Sequence, residues 1–434
     1  MGEGWGEGRE LARNKSLDHE DRSFERAKSL TLTLSQRERE KVFLLTENMI
    51  SFVKRFLIAL VIIAVLYALN LAMSREGLFG FGVPLYQVDL WRMAGINVIL
   101  AVSLNLINGF TGQFSIGHIG FMAVGAYSST YMTVYHTQGL EQWLAGILGA
   151  AVAGAIVFAI VIIVGALAAA VAGLIVGIPS LRLRGDYLAI ATLGFAEIIR
   201  IVLVNMNKVG GATGFRGCVD PLTNITCADA SMGRLTIPAY TNFFWIGFLA
   251  VITIVVIYNI VNSDVGRALI SIREDELAAQ AMGVNTTRYK VTAFVISSAF
   301  AGVAGALYGH WRLPHPNDFT FVRSFEIIIM IVLGGMGSIT GAVLGALVIT
   351  FLPELLRQVP GGVYDYRLVI YALMLIIIMI TRPQGILGNY EVGAWLKRAR
   401  KRPEGNVAIG GSTGAPIAEQ SESTAKSQKE LENR

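Results

Sequence analysis

WLAGILGAAVAGAIVFAIVIIVGALAAAVAGLIVGIP, residues 143–179, contains no charged side chain. A helix needs about 20 apolar residues to cross roughly 30 Å of hydrocarbon, so this run exceeds one crossing. One long tilted helix, or a helix followed by a re-entrant segment, would account for its length. So long an uncharged stretch is typical of a helical membrane protein.

The composition of the whole chain agrees with this segment. The 434 residues are 53% hydrophobic and 15% charged, whereas soluble domains carry roughly 25% charged residues. The formal net charge is +5, which raises the question of nucleic acid binding. The basic residues cluster in the tails and in particular loops without interleaved aromatic residues, so membrane topology explains them better than nucleic acid.

The apolar pattern predicts an all-α fold, a polytopic transmembrane bundle of about ten spans with both termini cytoplasmic. The first predicted span lies too far from the N-terminus for a signal peptide, and we expect it to be retained. The eighth is short and is followed by a glycine-rich segment. The predicted spans are 56–73, 90–107, 116–134, 143–178, 187–206, 243–261, 291–308, 325–336, 338–354 and 367–380.

Polar tails flank the apolar region. Residues 1–48 have no apolar period that would form a core, and we expect a disordered cytoplasmic tail, whose place at the true N-terminus sequence alone does not settle. Residues 391–434, basic and then polar, predict a second disordered cytoplasmic tail. The segment between them, 49–390, is predicted to be one transmembrane domain.

Positive charge distinguishes the two sides of the membrane. Basic residues near residues 54–55, 182–184, 267–290 and 397–402 fall on one side in a ten-span topology, and the positive-inside rule makes that side cytoplasmic. The loop 207–242 is then external. It contains both cysteines, Cys218 and Cys227, which permits a disulfide in an oxidising compartment; two unrelated thiols are the equal alternative.

The chain contains no motif of a catalytic, phosphate-binding or metal site. No Walker A, HExxH or CxxC pattern occurs, and the five histidines are scattered. The one GxSxG string, GGSTG at 410–414, lies in the polar C-terminal segment and not at a strand-to-helix turn. We therefore predict that the protein is no enzyme and has no catalytic residues, cofactor or metal. Transport would draw its energy from an ion gradient or from a separate ATPase.

A polar loop, NSDVGRALISIREDELAAQAMGVNTTRYK at 262–290, interrupts the apolar pattern with alternating charges and helix formers. It predicts a short cytoplasmic helix with a smooth face at Ala278 and Ala279, which Gly283 ends. Such a helix fits a cleft in a partner protein. Taken alone, it is equally typical of an ordinary soluble loop helix.

This loop resembles the coupling loop of ABC importer permeases, in which Glu-Ala-Ala is followed by three residues and Gly. The match is partial, because Leu277 stands between Glu276 and the alanines. Four longer stretches resemble LivM-type permeases of branched-chain amino acid ABC transporters and together span about residues 95–390. They are GRALISIREDELAAQAMGVNTTRYKVTAFVISSAFAGVAGALYG at 266–309, NVILAVSLNLINGFTGQFSIGHIGFMAVGAY at 97–127, LRLRGDYLAIATLGFAEIIRI at 181–201, and LGGMGSITGAVLGALVITFLPELLR at 333–357 with RPQGILG at 382–388.

The resemblance implies a permease subunit of the bacterial inner membrane for leucine, isoleucine, valine or related amino acids. It also implies a heterodimer with a related second permease, two cytoplasmic ATPase subunits and an external solute-binding protein. Membrane lipid is the other partner of the permease, and nucleic acid is not a partner. The residues expected to couple the permease to the ATPases are Arg273, Glu274, Asp275, Glu276, Ala278, Ala279 and Gly283.

Polar residues and glycines within apolar spans are candidates for the pathway lining, because such groups need internal partners or a wet cavity. Hydrogen bonding between helices is the alternative. Glu197 and Arg200 lie three apart on one helix face and are expected to pair structurally; binding the charged ends of an amino acid is the functional alternative. The candidates are Asn105, Thr111, Gln113, Ser115, His118, Glu197, Gly334, Gly335 and Gly337.

Two other functions compete with amino acid import. The first is import of urea or a short amide, which related permeases carry out. The second is a gradient-driven secondary transporter or channel. That reading calls for inverted repeats and buried carboxylates, and Glu197 is the one clear carboxylate within a predicted span.

Overall fold

A computed structural model describes residues 61, 63–71, 84–181, 183, 185–218 and 236–357, together with isolated positions between 369 and 385. Every regular element in these residues is helical, as the sequence predicts. The α-helices are α1 (Leu85–Asn105), α2 (His118–Tyr135), α3 (Gln138–Leu148), α4 (Ala150–Ser180), α5 (Asp186–Asn205), α6 (Phe243–Val261), α7 (Asp264–Glu274), α8 (Glu276–Ala281), α9 (Thr286–Gly309), α10 (Phe321–Gly334) and α11 (Ile339–Arg357).

Eight of the ten predicted spans coincide with described helices to within a few residues at most ends. Residues 63–71 of the first span are also helical, and the last span, 367–380, is described only at isolated positions. Five helices of the described chain are long and apolar enough to cross a membrane, and they are Tyr86–Phe110, Ala150–Ser180, Tyr187–Asn205, Phe243–Val261 and Thr286–Gly309. The chain is therefore a multi-pass helical membrane protein.

The long uncharged run divides into two helices. Gly149 has φ +85°, a backbone conformation that suits glycine, and it separates the exposed helix α3 from α4. Helix α4 has 31 residues and at 1.5 Å per residue is roughly 46 Å long, more than one bilayer core. The run is therefore not one continuous helix, because it comprises the end of α3 and the long helix α4.

Helix α9 lies at the centre of the bundle, between α2 and α4. It is lined on these faces by small residues, and a side chain at Gly302 would meet Ala169 while one at Gly305 would meet the carbonyl of Met122. A similar close approach joins α10 to α11, where Gly334 faces the backbone of Gly341. Small residues at these positions let the helix backbones pack closely, as is common in membrane bundles.

Contacts between distant segments define the two ends of the bundle. At one end, the α7–α8 hairpin touches the end of α1 through Arg273 and the carbonyl of Gly109. At the other end, Tyr135 contacts the carbonyl of Lys208, and the Phe215 N–H donates to the carbonyl of Pro314. By the positive-inside assignment, the hairpin end is cytoplasmic and the second end is external.

The predicted domain boundaries fall outside the part of the chain that the structure describes. Residues 1–60 and 386–434, which include both predicted tails, are not among the described residues, and neither are residues 219–235 of the predicted external loop. The tails and the limits of the permease domain stay predictions.

Candidate coupling and transport site

The α7–α8 hairpin is shaped by caps at its turn and at its end. The Asp275 carboxylate accepts hydrogen bonds from the backbone N–H groups of Leu277 (2.8 Å) and Ala278 (3.0 Å), which is an N-cap for α8. Gly283 has φ +86°, and Val284 N–H donates to the Ala279 carbonyl at 3.0 Å. The prediction that Gly283 ends this short helix is confirmed.

The surface of the hairpin differs from the expected smooth alanine face. Ala279 is buried against its own chain, 5% exposed, whereas Leu277 is 63% and Met282 85% exposed. The expectation that both alanines face a partner was therefore wrong for Ala279, because α8 turns that position towards the bundle. Sequence reasoning selected neither Leu277 nor Met282, although a large apolar residue in a polar loop is a signal for contact.

Two basic residues connect the hairpin to the transmembrane helices. Arg273 Nη1 donates to the Gly109 carbonyl at 3.0 Å, and its Nη2 donates to Glu274 Oε1 at 2.7 Å. Lys290, at the start of α9, pairs with Glu276 at 2.7 Å, and the lysine side chain is only 8% exposed. One ion pair thus links α8 to α9, and a charge-assisted hydrogen bond links α7 to the end of α1.

Helix α1 ends in a π-helical turn, Leu106–Phe110, followed by an irregular segment before α2. Such π-turns are rare and occur often at functional sites. Asn108 closes the irregular segment, because its side chain bonds both the N–H (3.1 Å) and the carbonyl (3.2 Å) of Ser115. The Thr111 hydroxyl donates to the Leu106 carbonyl at 2.8 Å. These polar groups are buried and satisfied within the chain.

Asn105 joins the end of α1 to the glycine-rich turn between α10 and α11. Its side chain donates to the Ser338 carbonyl at 3.0 Å and accepts from the Gly337 N–H at 2.9 Å. Gly335 and Gly337 have φ +118° and +86°, and Gly334 is buried against α11. The structure brings these predicted residues together, while their lining of a pathway stays a prediction.

We expect Asn105→Ala to lower the stability of the folded subunit. Asn105 is fully buried, and its loss leaves the Gly337 N–H without its acceptor, at roughly 1–3 kcal/mol. The Ser338 carbonyl loses one of its two donors and keeps the Ala342 N–H. The thermal unfolding midpoint of the detergent-solubilised protein measures this effect. Asn205→Ala is the control, because Asn205 is an exposed residue that bonds the Ile201 carbonyl. Equal midpoints for the two variants would contradict the assigned role of Asn105.

Two buried side chains near the irregular segment have an unpaired atom. Gln113 Oε1 and His118 Nδ1 have no hydrogen-bond partner among the described residues. His118 Nε2 lies 3.0 Å from the Ser103 hydroxyl. Unpaired buried atoms of this kind are compatible with a bound water or with a pathway, so the predicted roles of these two residues stay open.

Glu197 and Arg200 form the ion pair that the sequence predicts, with Arg200 Nε donating to Glu197 Oε1 at 2.7 Å. The side chains are 38% and 24% exposed, respectively. The sequence analysis gave Glu197 as the one clear carboxylate within a predicted span, but α10 contains a second, Glu326. Glu326 pairs with Arg323, which balances its charge. The signal was present in the sequence as opposite charges three residues apart.

The structure describes one cysteine of the loop that is predicted to be external. Cys218 is buried and disulfide-bonded, and Cys227 lies outside the described residues.

A cleft of about 710 Å³ opens between α2, α4 and α5, with mainly aliphatic and aromatic walls that also include Lys208 and His136. Among the described residues no group of His, Cys, Asp and Glu could hold a metal ion.

Comparison with known proteins finds one matching family model and several relatives. Residues 86–379 match the family model described as branched-chain amino acid transport system / permease component. The high-affinity branched-chain amino acid transport system permease protein LivM of Salmonella typhimurium strain LT2 is 34% identical over 376 residues, covering 81% of this chain and 79% of the relative. LivM of Escherichia coli K12 is 33% identical over 355 residues, covering 77% and 75%.

A second group of relatives matches a shorter region. The permease protein LivH of the high-affinity branched-chain amino acid transport system of Escherichia coli K12 is 35% identical over 130 residues, covering 30% of this chain and 42% of the relative. No solved structure matches the chain.

Proposed function

The chain belongs to the family of branched-chain amino acid transport system permease components, and we propose that it forms part of the translocation pathway of an ABC importer for leucine, isoleucine, valine or related amino acids. The matched region covers α1 to α11, so the proposal concerns the whole described bundle. The relatives are transport permeases, and separate ATPase subunits would supply the energy.

The observation that carries this proposal is the α7–α8 hairpin. A capped helix at the cytoplasmic end presents Leu277 and Met282 to the outside, while Arg273 and Lys290 tie the same hairpin to α1 and α9. A docking surface on one side and fixed links to the bundle on the other are what a coupling element needs, because a displacement must be transmitted through rigid contacts.

The proposed assembly contains four kinds of subunit. Similarity to both LivM and LivH supports a second, related permease as the partner in a heterodimer. Two cytoplasmic ATPases would bind the hairpins, and an external solute-binding protein would deliver the amino acid. The location that fits this assembly is the bacterial plasma membrane.

Reconstitution of the complete complex in proteoliposomes tests the proposal. We expect uptake of labelled leucine, isoleucine or valine that requires ATP, the ATPase subunits and the binding protein together. Uptake of urea or acetamide instead would favour the short-amide alternative. Uptake by the permeases alone, driven by an imposed ion gradient and unchanged after deletion of residues 276–281, would contradict an ABC importer.

A further inference from the structure

One face of α1 carries polar side chains from its external end to its middle. Asp89, Met93 and Asn97 are four residues apart and therefore lie above one another on the helix. Asp89 Oδ1 accepts hydrogen bonds from Arg92 Nη1 at 3.2 Å and from Trp311 Nε1 at 3.0 Å. Asp89 with its partner Arg92, and Asn97 beyond Met93, form a polar stripe that begins at the external surface.

Helix α10 extends this stripe with a pair of opposite charges. Arg323 Nη1 donates to Glu326, and Arg323 Nη2 donates to Asn97 Oδ1 at 3.0 Å and lies 3.6 Å from Met93 Sδ. Asn97 in turn donates to the Thr350 hydroxyl of α11 at 2.8 Å. The guanidinium group of Arg323 is thus held by side chains of α10 and α1, and Thr350 of α11 holds its partner Asn97 in place.

The depth of this contact is unusual for a charged group. Asn97 lies near the middle of the span Tyr86–Phe110 and is 2% exposed, so the Arg323 head group lies well inside the membrane-spanning part of the bundle. Charged side chains at such depth are costly and nearly always face a water-filled cavity or the interior of the assembly. The arginine and glutamate side chains keep 21% and 17% of their surface exposed, so part of each side chain stays accessible.

The stripe also has an unused hydrogen-bond donor. Arg92 Nε is buried and has no hydrogen-bond partner among the described residues, although the same side chain binds Asp89. A buried donor without an acceptor is unfavourable. An additional acceptor group that enters the stripe would relieve this cost.

We propose that Arg323 and Glu326 bind the α-carboxylate and the α-ammonium group of the amino acid in transit. This inference rests on the proposed function. The planar guanidinium matches a carboxylate in a two-bond geometry, and the glutamate offers the opposite charge one helical turn away. Without a substrate, Arg323 and Glu326 neutralise each other. When a zwitterionic amino acid binds, Arg323 pairs with its carboxylate and Glu326 pairs with its ammonium group, so the number of paired charges is kept. The stripe therefore recognises the groups common to all α-amino acids.

The Glu197–Arg200 pair of α5 serves as a structural comparison. It has the same spacing and is more exposed, but among the described residues no neighbouring helix supplies a side chain comparable to Asn97. An ion pair held only within its own helix has little positional specificity. The pair of α10 is the one that the fold holds in a defined position.

Uptake of labelled leucine by the complete reconstituted complex tests the inference. We expect Glu326→Gln to lower uptake about tenfold or more, the effect of losing one charge-assisted hydrogen bond, while ATP hydrolysis by the assembled complex stays within about twofold of the wild type. Glu326→Asp keeps the carboxylate and should retain most of the uptake. Glu141→Gln is the matched control, since this external carboxylate binds Tyr240 outside the stripe.

A double variant separates substrate binding from a structural role. Removing both charges, Arg323→Gln with Glu326→Gln, leaves no unpaired buried charge, so a purely structural pair would tolerate the change. We expect the double variant to assemble, as measured by co-purification of all subunits, and yet to stay as impaired in uptake as Glu326→Gln.

Two results would overturn the inference. These are wild-type uptake in the double variant, and uptake in Glu326→Gln equal to that in Glu326→Asp. The proposed function fails separately, if the wild-type complex transports none of the three branched-chain amino acids.

Discussion

Met282→Asp together with Leu277→Asp is expected to release the ATPase subunits and to reduce ATP-driven uptake to background. The two side chains are the large apolar groups at the tip of the hairpin, 85% and 63% exposed. Burying a side chain of this size in an interface contributes about 1.5–3 kcal/mol, and an unpaired carboxylate in the same place is strongly unfavourable. Co-purification of the ATPases with the tagged permease measures the effect.

The matched control keeps the apolar character of the hairpin. Met282→Leu preserves the volume and should retain the ATPases and the uptake, because volume-conserving apolar changes are usually tolerated. Since both side chains face outward, the aspartate variants leave the subunit itself folded. An aspartate variant that keeps its ATPases and transports normally would show that the partner binds elsewhere.

Arg273→Ala is expected to uncouple the complex: ATPase subunits stay bound and hydrolyse ATP, while uptake falls about tenfold or more, as the loss of a charge-assisted hydrogen bond implies. Arg273 contacts the carbonyl of Gly109 at 3.0 Å and lies against Gly112, which has φ +69°. Without this contact the hairpin still docks, but its displacement no longer reaches the π-helical end of α1.

Arg267→Ala is the control for this experiment. Arg267 belongs to the same helix α7, but its side chain is 71% exposed and pairs only with the neighbouring Asp264 among the described residues. Such surface pairs contribute little, so we expect uptake close to the wild type. The ratio of uptake to ATP hydrolysed, compared between the two variants, decides the question, and equal ratios would remove Arg273 from the coupling path.

Much of the fold was predictable because its causes are local. A run of apolar residues long enough for a bilayer predicts a helix regardless of its neighbours, and eight predicted spans fall on described helices. Gly283 ends α8 because only a residue that accepts φ +86° continues the chain there. The pairing of Glu197 with Arg200 followed from their spacing of three residues.

Most residues of the candidate site could be selected from the sequence, but their positions relative to one another could not. Asn105 and Gly337 were each selected as polar or glycine-rich positions in apolar spans, and the structure brings them together across 232 residues of sequence. The direction of Ala279 and the exposure of Met282 depend on the rotation of a six-residue helix, which is too short for periodicity to fix.

By itself the sequence determined the helical membrane class, the approximate spans, the position of the α7–α8 hairpin in the chain and the family. These follow from hydrophobicity, charge distribution and continuous motifs, all of which act over neighbouring residues. Only the tertiary structure decided that Arg273 meets Gly109 and that Arg323 meets Asn97, pairs separated by 164 and 226 residues. The physical reason is that membrane helices choose their neighbours through close packing and interhelical hydrogen bonds, and these depend on surfaces that exist only after the helices have formed.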